Sequence, residues 1–146
     1  MKTSLSIALL TILLSATASA APPKNAESEY LVTTSSGFYL HDGSTFYSMT
    51  FDIIKALPEA YHLKFIFQNP NKKQPAITET LALEVDGDEI RVMSVPLECI
   101  RNNKKFLATV EIYSDESESE LVSTHKQKVE FRAPNEIMSH IGLKLC

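Results

Sequence analysis

Glycine is scarce: the 146-residue chain holds four. There is accordingly no glycine-rich phosphate loop, and G-x-S-x-G and H-E-x-x-H, which present a nucleophile or a zinc-bound water, are missing too. Catalysis is therefore not expected. The two cysteines are far apart. Without a C-x-x-C pair the usual redox and zinc spacings fall away. After the first twenty residues no apolar run approaches the roughly 20 residues that a membrane span takes. Cations are also in deficit, with 14 Lys and Arg against 18 Asp and Glu. Nucleic acid and anionic membranes are held by basic surfaces, so neither is expected as the main partner.

What is present begins with an export signal. Lys2 supplies the positive end, residues 5–14 (LSIALLTILL) the short apolar run, and Ala18-Ser19-Ala20 the small residues a signal peptidase reads. The run is too short to span a bilayer. Cleavage after Ala20 would leave 126 residues with 13 basic and 18 acidic side chains, a net charge of −5. Periplasm or secretion is the expected destination. Residues 21–28 (APPKNAES) read as a mobile polar leader, and residues 29–146 as a single β-sandwich domain. In an oxidising compartment Cys99 and Cys146 are expected to form a disulfide, stabilising the fold by about 4 kcal/mol in the chain-entropy account.

The clearest strand is residues 106–113, FLATVEIY. Phe106, Ala108, Val110 and Ile112 share one face, and Leu107 and Tyr113 make the other partly apolar. Such a strand belongs inside a sheet, with neighbours on both edges. Residues 61–67 (YHLKFIF) repeat the alternation, and residues 77–85 put Ile77, Leu81, Leu83 and Val85 on one side. Residues 46–54 fit a strand or a helix; their aromatic and β-branched content favours the strand. Residues 30–34 and 38–41 are short strand candidates separated by a bend at Ser35-Ser36-Gly37 and followed by a turn at Asp42-Gly43. Residues 121–132 form the last long strand. Residues 135–146 are expected to start as a helical turn capped by Asn135 and to end as a strand.

Two turns suggest registers. A two-residue loop at Asp86-Gly87 would set Leu83 opposite Ile90, Leu81 opposite Val92 and Glu84 opposite Glu89, with one face in water. Past Val92 the apolar phase shifts to Met93, Val95, Leu97 and Cys99. A bulge near Ser94, or a crossing there from one sheet to another, accounts for the shift. A turn at Asn102-Asn103 would then pair Cys99 with Phe106, Leu97 with Ala108, Val95 with Val110 and Met93 with Ile112. Several short strands with turn signals and little helix predict an antiparallel β-sandwich, immunoglobulin-like in the leading version and a small closed barrel in the alternative.

On the last strand, alternation turns His125 and Gln127 toward the core, where polar groups must find hydrogen-bond partners. With Tyr113 they are the candidate binding residues; a bulge or a satisfied core histidine is the plainer explanation. His41, His62, His125 and His140 with Met49, Met93 and Met138 raise a copper site, but only Met138-Ser139-His140 is closely spaced. Residues 115–120 (DESESE) and Asp86-Gly87-Asp88-Glu89 lack the ligand spacing of a calcium loop. A Cys99–His125 nucleophile pair conflicts with the expected disulfide. No cofactor and no metal ligand are assigned. The expected function is an exported, non-catalytic sandwich that binds a protein partner, as an envelope accessory, an inhibitor or immunity protein, or a secreted factor. The alternative is a periplasmic carrier of a small ligand or copper, and an enzyme without a recognisable motif comes last.

Overall fold

The structure, a computed structural model, describes residues 27–146. The expected export signal and most of the expected leader lie outside the described residues. Seven strands follow in order: β1 (Leu31–His41), β2 (Ser44–Ile53), β3 (His62–Phe67), β4 (Thr80–Asp86), β5 (Glu89–Ser94), β6 (Lys104–Tyr113) and β7 (Leu121–Phe131). One short helix, α1 (Asn135–His140), comes after them. The strands form two antiparallel sheets, ordered β1-β2-β5-β4 and β3-β6-β7. The protein is an all-β sandwich. The two sheets keep separate ladders, so the closed barrel is not formed among the described residues.

β6 is the middle strand of its sheet, as its two-sided pattern requires. Phe106, Ala108, Val110 and Ile112 are buried, with half-buried residues between them. Its flanks carry Phe65 opposite Val110 on β3 and Val129 opposite Phe106 on β7. Across the core, β2 presents Tyr47, Met49 and Phe51 beside Ile90 and Val92 of β5. Tyr47 links the sheets: its ring lies 4.9 Å from Phe67 and 6.4 Å from Phe106. Its hydroxyl donates to the Gln68 carbonyl at 2.5 Å, satisfying the polar end of a ring that would otherwise be costly to bury. Burial also pushes its pKa upward.

The asparagine-turn register is not adopted. β5 lies in one sheet and β6 in the other, so Met93, Val95, Leu97 and Cys99 do not form a hairpin with residues 106–112. The phase shift at Ser94 is a bulge within the same sheet: Met93 pairs with Ser48 and Leu97 with Thr45, which leaves one extra residue between them, and the chain crosses to the other sheet only after Leu97. Ser94 is fully buried; its hydroxyl accepts from the Tyr47 amide at 3.0 Å and donates to the Val95 carbonyl at 2.8 Å, and β5 ends there. Pro96, without an amide donor, fits the irregular step, and Leu97 resumes the pairing by donating its amide to the Thr45 carbonyl at 2.8 Å. Asn102 instead anchors the turn to the end of β7, accepting from the Ala133 amide at 3.0 Å and donating to its carbonyl at 2.8 Å.

Smaller corrections have equally local causes. Ser35-Ser36-Gly37 does not break β1, because one extra residue at Thr34 absorbs the irregularity as a bulge. The hairpin loop is Gly87-Asp88 rather than Asp86-Gly87, with Gly87 at φ 58°. That one-residue change sets Glu84 opposite Arg91 instead of Glu89, exchanging repulsion for attraction, and sets Leu83 opposite Val92. Asn135 is the first residue of α1, not its cap; Pro134 precedes it and no side chain caps the helix. The strand expected after it reduces to a parallel bridge between Ile100 and Leu145. Beside that bridge Cys99 and Cys146 are disulfide-bonded, with Cα atoms 5.0 Å apart.

Candidate functional site

His125 is central to the candidate site. It is 2% exposed, and its ring meets Phe51 edge-on at 5.6 Å. Strand alternation holds it inward opposite Val110, since the bulge of β7 lies before it, between the pairs of Ile112 and Tyr113. Nδ1 accepts from the Ser28 amide at 3.1 Å, so the ring proton resides on Nε2, which donates to Thr33 Oγ1 at 2.7 Å. Ser28 and Ser123 share a further hydroxyl bond of 2.7 Å. Ser28 is itself buried, so the ordered domain includes the end of the segment read as a mobile leader. This network ties the N-terminal approach and β1, in one sheet, to β7 in the other. Burial lowers the His125 pKa, partly opposed by Glu27, and keeps the ring neutral. With one nitrogen accepting and the other donating, no lone pair is left for a metal or for proton transfer.

Gln127 is half-buried, and its Nε2 donates to the Lys128 carbonyl at 3.1 Å. Tyr113 belongs to the outer face, where its hydroxyl donates to Glu111 Oε2 at 2.7 Å and its pKa rises in consequence. Beside it, Glu118 accepts from Lys64 at 2.7 Å and lies 3.6 Å from His62, joining the acidic loop to β3. His125, Gln127 and Tyr113 therefore do not converge, and none of them lines the five clearest clefts.

The other candidate groups are also separated or already engaged. Met49 and Met138 are buried, whereas His140, two residues beyond Met138, is exposed with Nδ1 2.6 Å from the Glu136 carbonyl. Among the described residues no group of three or more His, Cys, Asp or Glu is placed to hold a metal. In the acidic loop the Asp115 carboxylate accepts from the Ser117 and Ser119 hydroxyls, which hold its pKa down at about 2. Cys99 is bonded to Cys146, so it offers no thiolate.

Sequence reasoning missed the open edge of the four-stranded sheet. β4 is exposed along its length after Thr80, with Leu81 60%, Leu83 47% and Val85 46% exposed. Among the described residues β5 is the only element against which it packs substantially. Leu83 and Val85 share the face of buried Val92 and Ile90, but no strand of the opposing sheet lies beneath them. A four-strand sheet over a three-strand sheet leaves one strand uncovered. With Asp86 and Glu89 closing a two-residue loop, alternation turns the amides and carbonyls of Leu83 and Val85 toward the open edge. The apolar alternation of residues 81–85 was legible; the absence of cover was not, because cover depends on strand order. No protein family, curated protein or solved structure matches the chain.

Proposed function

We propose that the chain is an exported, non-catalytic protein of the periplasm or exterior that binds a protein partner by accepting an extended segment along β4. The carrying observation is the bare edge: β4 offers free backbone groups and exposed Leu81, Leu83 and Val85 in one strand. Native edges are normally blunted by lysine, proline, a β-bulge or a covering loop; residues 80–86 contain no lysine or proline, and the bulge at Leu81 leaves residues 82–86 as the regular edge. Addition of a strand to such an edge is a recurrent mode of peptide recognition. The outer face of β4 carries Glu84 and Asp86, so the complementary segment alternates apolar with basic residues.

We further infer an immunoglobulin-like arrangement. The order β1-β2-β5-β4 over β3-β6-β7 corresponds to that of seven-stranded constant-type immunoglobulin domains, which supports this reading. The inter-sheet disulfide and buried tryptophan of antibody domains have no counterpart; Tyr47, Phe67 and Phe106 occupy the bridge between the sheets.

A photo-crosslinking residue at Leu83, with one at Thr124 on the far sheet as control, tests the binding proposal in the native compartment. A distinct protein captured from position 83 and absent from position 124 is expected. No protein adduct, or adducts only between copies of this chain, would overturn it.

A further inference from the structure

The chain is acidic overall, yet four of its cations surround one cleft of about 540 Å³: Lys72, Lys73, Arg101 and Lys144. The cations that have ion-pair partners among the described residues are Lys55, Lys64, Arg91 and Arg132, besides histidines, and all four are elsewhere. The Arg101 Nε is buried without a hydrogen-bond partner. A guanidinium donor in that state is an unmet demand for an acceptor. The acidic side chain on the wall is Glu98, so positive charge prevails.

Three distant segments make this cleft, and each is held by its own device. In the turn before β4, Asn69 accepts from the Asn71 amide at 3.0 Å and Asn71 from the Lys73 amide at 3.2 Å, which sets the two lysines side by side. Arg101 follows Ile100, a fully buried residue whose amide donates to the Lys144 carbonyl at 2.9 Å. The Cys99–Cys146 bond locks these last two segments together. The cations are thus gathered by backbone and disulfide, not by salt bridges to carboxylates that would neutralise them.

We infer that this cleft binds a doubly charged phosphoryl group carried on a small polar body of about sugar size. Net positive charge suits a dianion, and the arginine fork matches two oxygens of one phosphoryl group. The volume exceeds what inorganic phosphate fills and falls in the usual range for small-ligand sites. A free phosphorylated molecule and a phospholipid headgroup share this chemistry. The site is separate from the β4 edge, and its failure would leave the partner-binding proposal intact.

Calorimetry on the disulfide-intact protein with glucose 6-phosphate, beside sedimentation with vesicles containing phosphatidylinositol 4-phosphate, whose headgroup also carries a phosphomonoester on a ring of sugar size, tests the site and separates the two sources. Saturable binding of one of these probes is expected, for the sugar phosphate with Kd below about 1 mM at low salt. Arg101→Gln should weaken it about tenfold, and so should the exposed pair Lys72→Gln with Lys73→Gln, which does not put folding at risk. Lys126→Gln with Lys128→Gln on β7 should leave it unchanged. Absence of saturable binding to both probes, or equal weakening in the β7 control, would overturn the site.

Discussion

A histidine with both ring nitrogens engaged behaves as structure rather than as chemistry, and His125 can be tested as such. Protonation would give Nδ1 a hydrogen facing the Ser28 amide, turning an acceptor into a donor against a donor. The folded-state pKa is depressed by burial, so the unfolded chain takes up the proton first as pH falls. The stability from this network should be fully present above about pH 6.5, the ordinary histidine value, and should decline below it toward the depressed folded pKa. Denaturant titrations across that interval should show a steeper loss for the natural chain than for His125→Gln, which retains one acceptor and one donor. His125→Ala should cost about 2–3 kcal/mol at neutral pH, because it strands the Ser28 amide and the Thr33 hydroxyl. A change near zero would assign His125 an exposed role instead.

At the scale of elements, equal alternation does not mean equal burial. Ile112 in β6 and Leu83 in β4 both belong to period-two apolar patterns, yet Ile112 is 0% exposed and Leu83 47%. Ile112→Ala should destabilise by about 2–5 kcal/mol through the cavity it leaves. On the same strand Val85→Lys, with the crosslinking residue kept at position 83, should cost no more than about 1 kcal/mol and should abolish partner capture, since an edge lysine discourages strand addition. The two variants separate core from interface by chemical denaturation and crosslinking. The same contrast explains what was readable beforehand. Strands β2, β3, β6 and β7 followed from local alternation, and the fold class from their number. Sheet membership did not: Met93 against Ile112 is consistent as a hairpin, and only the pairing of Leu97 with Thr45 shows that the chain bulges at Ser94, stays in the first sheet and crosses later. His125 was correctly turned inward by alternation, but its partners Ser28 and Thr33 lie more than ninety residues away and leave no local trace. Lys72, Lys73, Arg101 and Lys144 were equally invisible as a group, because three connections and a disulfide bring them together.

At the scale of the molecule, the disulfide ties a sandwich lacking the usual inter-sheet bridge. It closes a separation of 47 residues and secures the segment after α1. Reduction should lower stability by about 4 kcal/mol if the loss is mainly one of unfolded-chain constraint. Matched denaturation of oxidised and reduced protein measures it, with the reduced form expected to unfold at lower denaturant. Far less loss would mean that Ile100 and Leu145 hold the segment without the bond.

The His125 network also has a consequence in time. Ser28 and His125 are 97 residues apart, and β1 meets β7 through the Thr33–His125 bond and the Phe38–Phe131 ring contact, both of comparable separation. Loops of that size close late, after the hairpins of β1 with β2 and β4 with β5 have had every chance to form. A chain delivered N-terminus first therefore cannot join its two sheets at that edge until β7 has emerged. Until then Phe51 and Phe65 have no finished core around them, and the nascent protein is a set of hairpins rather than a folded body. The residue that seals the sandwich also sets the moment at which the chain first holds a complete core.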